Sequence, residues 1–146
     1  MSDLFLDVNI PMYAGGRPHR YKDACVWVMR EIVEGRLKVV TDTEAIQEVL
    51  YRYGAIGHLN TGVTMANALL KLVPVIHPVD VEDMRLATEL FRRYGPKGVT
   101  PRDAIHVAVM MNRGVKEIIS TDSHFDLIEG ITRLDPESLF REKGEN

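Results

Sequence analysis

Short apolar runs alternate with longer stretches of helical periodicity along this chain. Leu4 to Asp7 is an apolar run closed by an acid, and it reads as a first strand that Asn9-Ile10-Pro11 turns into a helix. A glycine- and proline-rich loop, Gly15 to Arg20, leads to a helix over Tyr21 to Glu34, which Gly35 stops. Leu37 to Val40 predicts the second strand. Thr41-Asp42-Thr43 then offers N-cap side chains to a helix running through Tyr53, with Gly54 and Gly57 breaking it. Leu59 to Leu72 predicts another helix, ended by Pro74, and Val75 to His77 a third strand. Asp80 caps a long amphipathic helix whose apolar positions include Met84, Leu86, Ala87, Leu90 and Phe91.

Gly95-Pro96-Lys97-Gly98 is a loop, after which Thr100 and Pro101 stand as N-cap and first helical residue. The helix they open is apolar almost all round from Ala104 to Met111 apart from His106, so it belongs inside the fold. Glu117 to Ser120 and Gly130 to Leu134 are the last two strands, and Pro136 to Phe140 a short terminal helix. Strands alternating with helices predict an α/β fold: a three-layer α/β/α sandwich around a central, mainly parallel five-stranded sheet. Such sheets bind ligands beyond the carboxyl ends of their strands, where strand order reverses. Asp7 and Asp122 both stand at such ends.

Composition narrows the function classes. At 146 residues and 45% hydrophobic, the chain has the content of one domain, residues 1–146, with a single core. Cys25 is the only cysteine, which excludes an intrachain disulfide and a CxxC metal pair and fits a reducing compartment, the cytoplasm. The first residues carry Asp7 within their apolar run and no basic lead, so they read as a strand rather than a signal peptide. No run of about 18 uncharged apolar residues offers a membrane span. A net charge of −3 weighs against nucleic acid, although setting aside the five candidate acids below leaves a net positive remainder.

Each of those acids has a plain structural explanation. Asp7 could cap the turn at Val8-Asn9; Glu48 could be a solvated helix residue, although it falls nearer than Glu44 to the edge of the apolar face formed by Ala45, Ile46, Val49 and Leu50. Asp103 completes a Thr-Pro-Arg-Asp pattern that resembles a capping box. Asp122 could cap the turn after the fourth strand, and Asp126, four residues on, shares its side if that turn is helical. Taken together, four distant segments each bring an acid to a strand end or helix start. Carboxylates gathered that closely must take up protons or bind cations, and an oxygen-only ligand set suits Mg²⁺ or Mn²⁺.

These segments, Phe5-Leu6-Asp7-Val8-Asn9, Glu48-Val49-Leu50, Asp103-Ala104-Ile105-His106-Val107-Ala108 and Thr121-Asp122-Ser123-His124-Phe125-Asp126, resemble the PIN-domain family in order and spacing from Leu4 to about Leu134. The chain is most similar there to the VapC-type toxins of toxin–antitoxin pairs. The resemblance implies a metal-dependent ribonuclease in which Asp7, Asp103 and Asp122 hold Mg²⁺ or Mn²⁺. Glu48 shares the ion or orients the attacking water, and Asp126 is an outer member. It also implies an RNA substrate, a homodimer and a cognate antitoxin; the rival reading is a non-catalytic PIN-fold module that binds RNA or protein. Many of those toxins place Thr or Ser after the first aspartate, where this chain has Val8, which donates no hydroxyl hydrogen bond. Arg17, Arg20, Arg52 and Arg102 are candidate phosphate contacts or ordinary surface charge. His106 and His124 lie beside acids they could hydrogen-bond, and Tyr13 and Tyr51 are packing residues before they are base-stacking ones.

Overall fold

The computed structural model describes residues 3–144. Its strands are β1 (Leu4–Leu6), β2 (Val39–Asp42), β3 (Val75–His77), β4 (Glu117–Ile119) and β5 (Thr132–Leu134). Its α-helices are α1 (Asn9–Ala14), α2 (Lys22–Val33), α3 (Thr43–Ala55), α4 (Leu59–Leu72), α5 (Val81–Tyr94), α6 (Pro101–Asn112) and α7 (Pro136–Leu139). The strands form one five-stranded sheet in the order β3-β2-β1-β4-β5. The pairs β2 with β3, β1 with β4 and β4 with β5 are parallel. Flanked by its helices, this sheet is the expected α/β/α sandwich. Strand order reverses at β1, so the ligand-binding crevice of such a sheet opens beyond the carboxyl ends of β1 and β4.

The chain divides into two compact units, one built from the segments up to Val39 and from Val115 onward, the other from Val40–Gly114. In the first, Phe5 pairs in register with Ile118 and Leu6 with Ile119. All four are buried, the pattern of parallel strands covered on both faces. Each such side chain contributes about 1.5–3 kcal/mol of transfer free energy. Helix α2 buries Ala24, Cys25, Val28 and Ile32, a stripe at helical spacing, and Trp27 meets Phe140 with ring centroids 5.8 Å apart.

In the second unit, α3 and α4 form a hairpin turned at Gly57, whose φ of 78° is easy only for glycine. The two helices approach so closely that a Cβ on Gly62 would lie 2.8 Å from that of Tyr53. Helix α5 opens with a complete capping box, in which the Asp80 side chain accepts the Asp83 N–H and the Asp83 side chain accepts the Asp80 N–H. Helix α6 begins as its Thr-Pro pair predicts, the Thr100 hydroxyl accepting the Asp103 N–H at 3.1 Å. Its apolar residues Ala104 and Val107 to Met110 are buried together with His106.

Several boundaries differ from the sequence reading for identifiable reasons. Strand β2 starts two residues late and takes in Thr41 and Asp42, because its register is fixed by pairing with β3 (Thr41 with Ile76, Asp42 with His77) and not by the apolar run alone. Gly54 lies within α3, and only Gly57 ends the hairpin's first arm. The expected loop at Gly95–Lys97 is a 3-10 turn closed by Gly98 at φ 106°. Strand β5 is shorter than expected, beginning at Thr132.

Candidate active site

Beyond β1, the Asp7 N–H still donates to the Ile119 carbonyl at 3.1 Å, continuing the β1–β4 ladder by one step. The side chain leaves the sheet at its carboxyl end and is 5% exposed. Its Oδ2 accepts from the Ser120 hydroxyl at 2.6 Å and from the Asn9 amide at 3.1 Å. A hydroxyl has one proton, and Ser120 gives it to Asp7; the hydroxyl oxygen in turn accepts the Asp122 N–H at 3.0 Å and the Asn9 amide at 3.2 Å. Ser120 thus ties the first and last predicted acidic segments together across more than a hundred residues of chain. It also supplies, from the end of β4, the hydroxyl that Val8 cannot.

Asp122 caps the 3-10 turn Ser123–Leu127, its Oδ1 accepting the His124 N–H at 2.9 Å and lying 2.8 Å from His124 Nδ1. The capping expected of Asp122 is therefore present, and so is the expected hydrogen bond from His124. The turn is 3-10 rather than α-helical, so four residues place Asp126 about a third of a turn round from Asp122. There Arg133 of β5 grips the Asp126 carboxylate with two bonds, at 3.0 and 3.1 Å, and donates a third to the Ser120 carbonyl. The hydrogen bond and proximity of Asp126 raise the Arg133 pKa further above its ordinary value, against a smaller opposing effect of burial.

The second unit holds Glu48 and Asp103. Glu48 is buried where Glu44 is half-exposed, as the helical spacing suggested. Its Oε2 lies 3.0 Å from Arg52 and 3.8 Å from Arg102, and its Oε1 lies 3.4 Å from His106 Nε2. On the other side of the ring His106 Nδ1 meets Asp42 Oδ2 at 2.8 Å, while Asp42 Oδ1 caps α3 by accepting the Ala45 N–H. Arg102 also reaches Glu44 at 3.5 Å and stacks over Tyr51. Arg52 and Arg102 are thus engaged with acids of their own unit. Asp103 sits half-buried in the first turn of α6.

The sequence reading missed Ser120, Asn9, Asp42 and Arg133. Asn9 carried a signal as a polar residue in the turn after the first strand, and Asp42 as an N-cap; neither pointed to the acid or histidine it meets. The donor set fits a hard divalent cation, because the end of β1 and the turn after β4 both offer carboxylate oxygens, those of Asp7 and Asp122. The Ser120 hydroxyl and the Asn9 amide orient the Asp7 carboxylate at the strand end.

The PIN domain model matches residues 4–131. Ribonuclease VapC13 of Mycobacterium tuberculosis is 32% identical over 131 residues, covering 90% of this chain and 98% of the relative. Ribonuclease VapC23 of the same species is 33% identical over 119 residues, covering 82% of this chain and 92% of the relative. Among solved structures, DNA-bound VapBC from Salmonella typhimurium superposes with a TM-score of 0.69 at 15% identity, covering 93% of this chain and 99% of that one. The sarcin–ricin-loop-cleaving toxin VapC20 of M. tuberculosis does so with a TM-score of 0.65 at 18% identity, covering 80% and 87%. An acid-bearing crevice at the switch point of this sheet, in a chain matched along nearly its full length, makes this protein a member of the PIN-domain family.

Proposed function

We propose that this protein is a divalent-metal-dependent endoribonuclease, a VapC-like toxin formed of a single PIN domain and working in the cytoplasm. The observation that carries the reading is Asp7, a buried carboxylate set by β1 at the switch point and oriented by a hydroxyl and an amide. Asp7, Asp103 and Asp122 are assigned to hold Mg²⁺ or Mn²⁺, with Glu48 sharing the ion or orienting the attacking water. Asp126 is an outer member whose charge is shared with Arg133. Bound there, a divalent ion lowers the pKa of a water and offsets charge building on the phosphate.

The chain's own residues supply positioning. Ser120 and Asn9 fix the Asp7 carboxylate before substrate arrives, which spares the reaction that reorganisation. His124 does the same for Asp122. Glu48, held by Arg52, Arg102 and His106, is restricted to one orientation in which to present an oxygen to water. Single-stranded or looped RNA is the substrate, because its backbone can enter a narrow acidic crevice. By extension from the toxin–antitoxin complexes among the solved neighbours, the protein forms a homodimer and is restrained by a small cognate antitoxin.

The test is cleavage of a mixed pool of structured and single-stranded RNAs with Mg²⁺, with Mn²⁺ or with EDTA, by the parent chain and by Asp7→Asn and Asp103→Asn. Metal-dependent cutting that both variants lose is the expected result. A folded parent that binds Mn²⁺ and the RNA pool but cuts nothing would replace this reading with that of a binding module.

A further inference from the structure

One aromatic cluster lies outside the acidic site. Tyr13, near the end of α1, stacks on His19 with ring centroids 4.6 Å apart and planes 28° from parallel. Tyr21 completes the cluster at 5.4 Å from Tyr13 and 5.5 Å from His19. The Arg20 guanidinium lies 4.8 Å from the centre of the Tyr21 ring and pairs with Glu137 at 2.9 Å, its side chain still mostly exposed. The Tyr21 N–H donates to His19 Nδ1 at 3.2 Å, and Lys22 Nζ donates to the Gly16 carbonyl at 2.6 Å, so the loop carrying His19 is pinned at both ends. Rings that served only to clasp this loop would be covered. Here His19 is exposed, Tyr13 and Tyr21 are half-exposed, and Arg17 and Arg20, both exposed, are close to them in sequence.

The cluster's place along α1 connects it to the crevice. Asn9, which donates to Asp7, and Tyr13 are four residues apart in one helix, so they share a face with about 6 Å between their Cβ atoms. A preordered stack of rings with neighbouring guanidinium groups, one helical turn from Asn9, the residue that donates to the candidate metal-binding acid, combines the two features by which proteins hold unpaired nucleic acid: π faces for bases and cations for backbone.

We propose that Tyr13, His19 and Tyr21, with Arg17 and Arg20, form a base-stacking platform for single-stranded RNA, seating the unpaired base next to the phosphate held at Asp7. This rests on the ribonuclease reading and specifies how that site selects its substrate. Stacking tolerates any base, so the platform selects for unpaired strands rather than for sequence.

The test uses full-length protein in an Asp7→Asn background, which does not cut, and mixed-sequence single-stranded RNA oligonucleotides carrying 2-aminopurine. The parent background is expected to bind and quench the fluorophore. Tyr13→Ala and His19→Ala, the latter at an exposed position, should each weaken binding about tenfold and relieve quenching. Tyr13→Phe should recover most of the affinity lost in Tyr13→Ala. In the cleaving enzyme, Tyr13→Ala should raise KM with kcat largely retained. Mn²⁺ affinity, measured in the cleaving background, should be the same in all of these platform variants, which separates the platform from folding and from the metal site. Unchanged RNA affinity and quenching in both alanine variants, while the parent still cuts RNA with metal, would overturn the platform and leave the ribonuclease reading standing. A parent that neither binds nor cuts any RNA would overturn both.

Discussion

Two buried aspartates receive opposite treatment. Asp83, at the start of α5, is fully buried and accepts from Arg113 at 2.7 Å, from Asn112 at 2.8 Å and from the Asp80 N–H at 2.9 Å. Burial alone would raise its pKa; the hydrogen bonds from Arg113, Asp80 and Asn112 outweigh that and hold it well below the usual carboxylate range. Asp7, almost as deeply buried, accepts from the Ser120 hydroxyl and the Asn9 amide. The difference teaches how a fold separates structural from functional charge. The Asp83 carboxylate, matched by a guanidinium, ties two helices together, whereas Asp7 is oriented by a hydroxyl and an amide at the strand end where the proposed cation would bind.

The comparison can be broken most severely at Asp83. Asp83→Ala takes from Arg113 its closest acid, leaving it the Pro78 and Val109 carbonyls and Asp80 at 3.7 Å, and breaking a buried pair in this way costs about 3–5 kcal/mol. That loss should appear as a lower urea midpoint at unchanged m-value, with Mn²⁺ affinity retained once the protein is folded. The same ion pair dictates a pH response. Because the folded pKa of Asp83 lies below the unfolded value of about 3.9, its stabilisation is complete above that pH and is lost as pH falls below it. Asp83→Asn should flatten that acid limb of the stability profile.

Smaller effects sharpen the other side. Ser120→Ala removes a hydrogen bond to a charged group, worth about 1.5–3 kcal/mol, and frees the Asp7 carboxylate to rotate. The expected outcome is severalfold weaker Mn²⁺ binding by titration, with Ser120→Thr recovering it. At the far end, Arg92→Ala breaks a wholly exposed pair with Glu89 on α5 and should leave the Tm unchanged within error. A clear loss there would mean that ionic contacts on α5 matter regardless of burial, and the contrast drawn from Asp83 would weaken.

Local chemistry made much of this fold readable. Helices α4 and α5 and strand β3 lie where Gly57, Pro74 and Asp80 punctuate the chain, because glycine turns, proline stops and N-caps act within a few residues. What the sequence concealed depends on distant partners. Asp42 looked like a simple cap, yet its second oxygen is bound to His106, sixty-four residues away. Ser120 looked like the end of a strand, yet it orients an aspartate one hundred and thirteen residues earlier. Asp126 looked like a neighbour of Asp122 on a helical turn; the 3-10 geometry and Arg133 redirect it. The acids were legible through their order and spacing, while the groups that orient them were not, since a hydroxyl or amide becomes significant only when the fold brings a carboxylate to it.

The most direct measurement is a Mn²⁺ titration, followed by electron paramagnetic resonance, of the parent chain and Asp7→Asn, paired with thermal unfolding of both without metal. If Asp7 holds the cation, the asparagine variant should lose tenfold or more in Mn²⁺ affinity while both chains still unfold cooperatively without metal. Undiminished Mn²⁺ affinity in the variant would contradict the account at its centre.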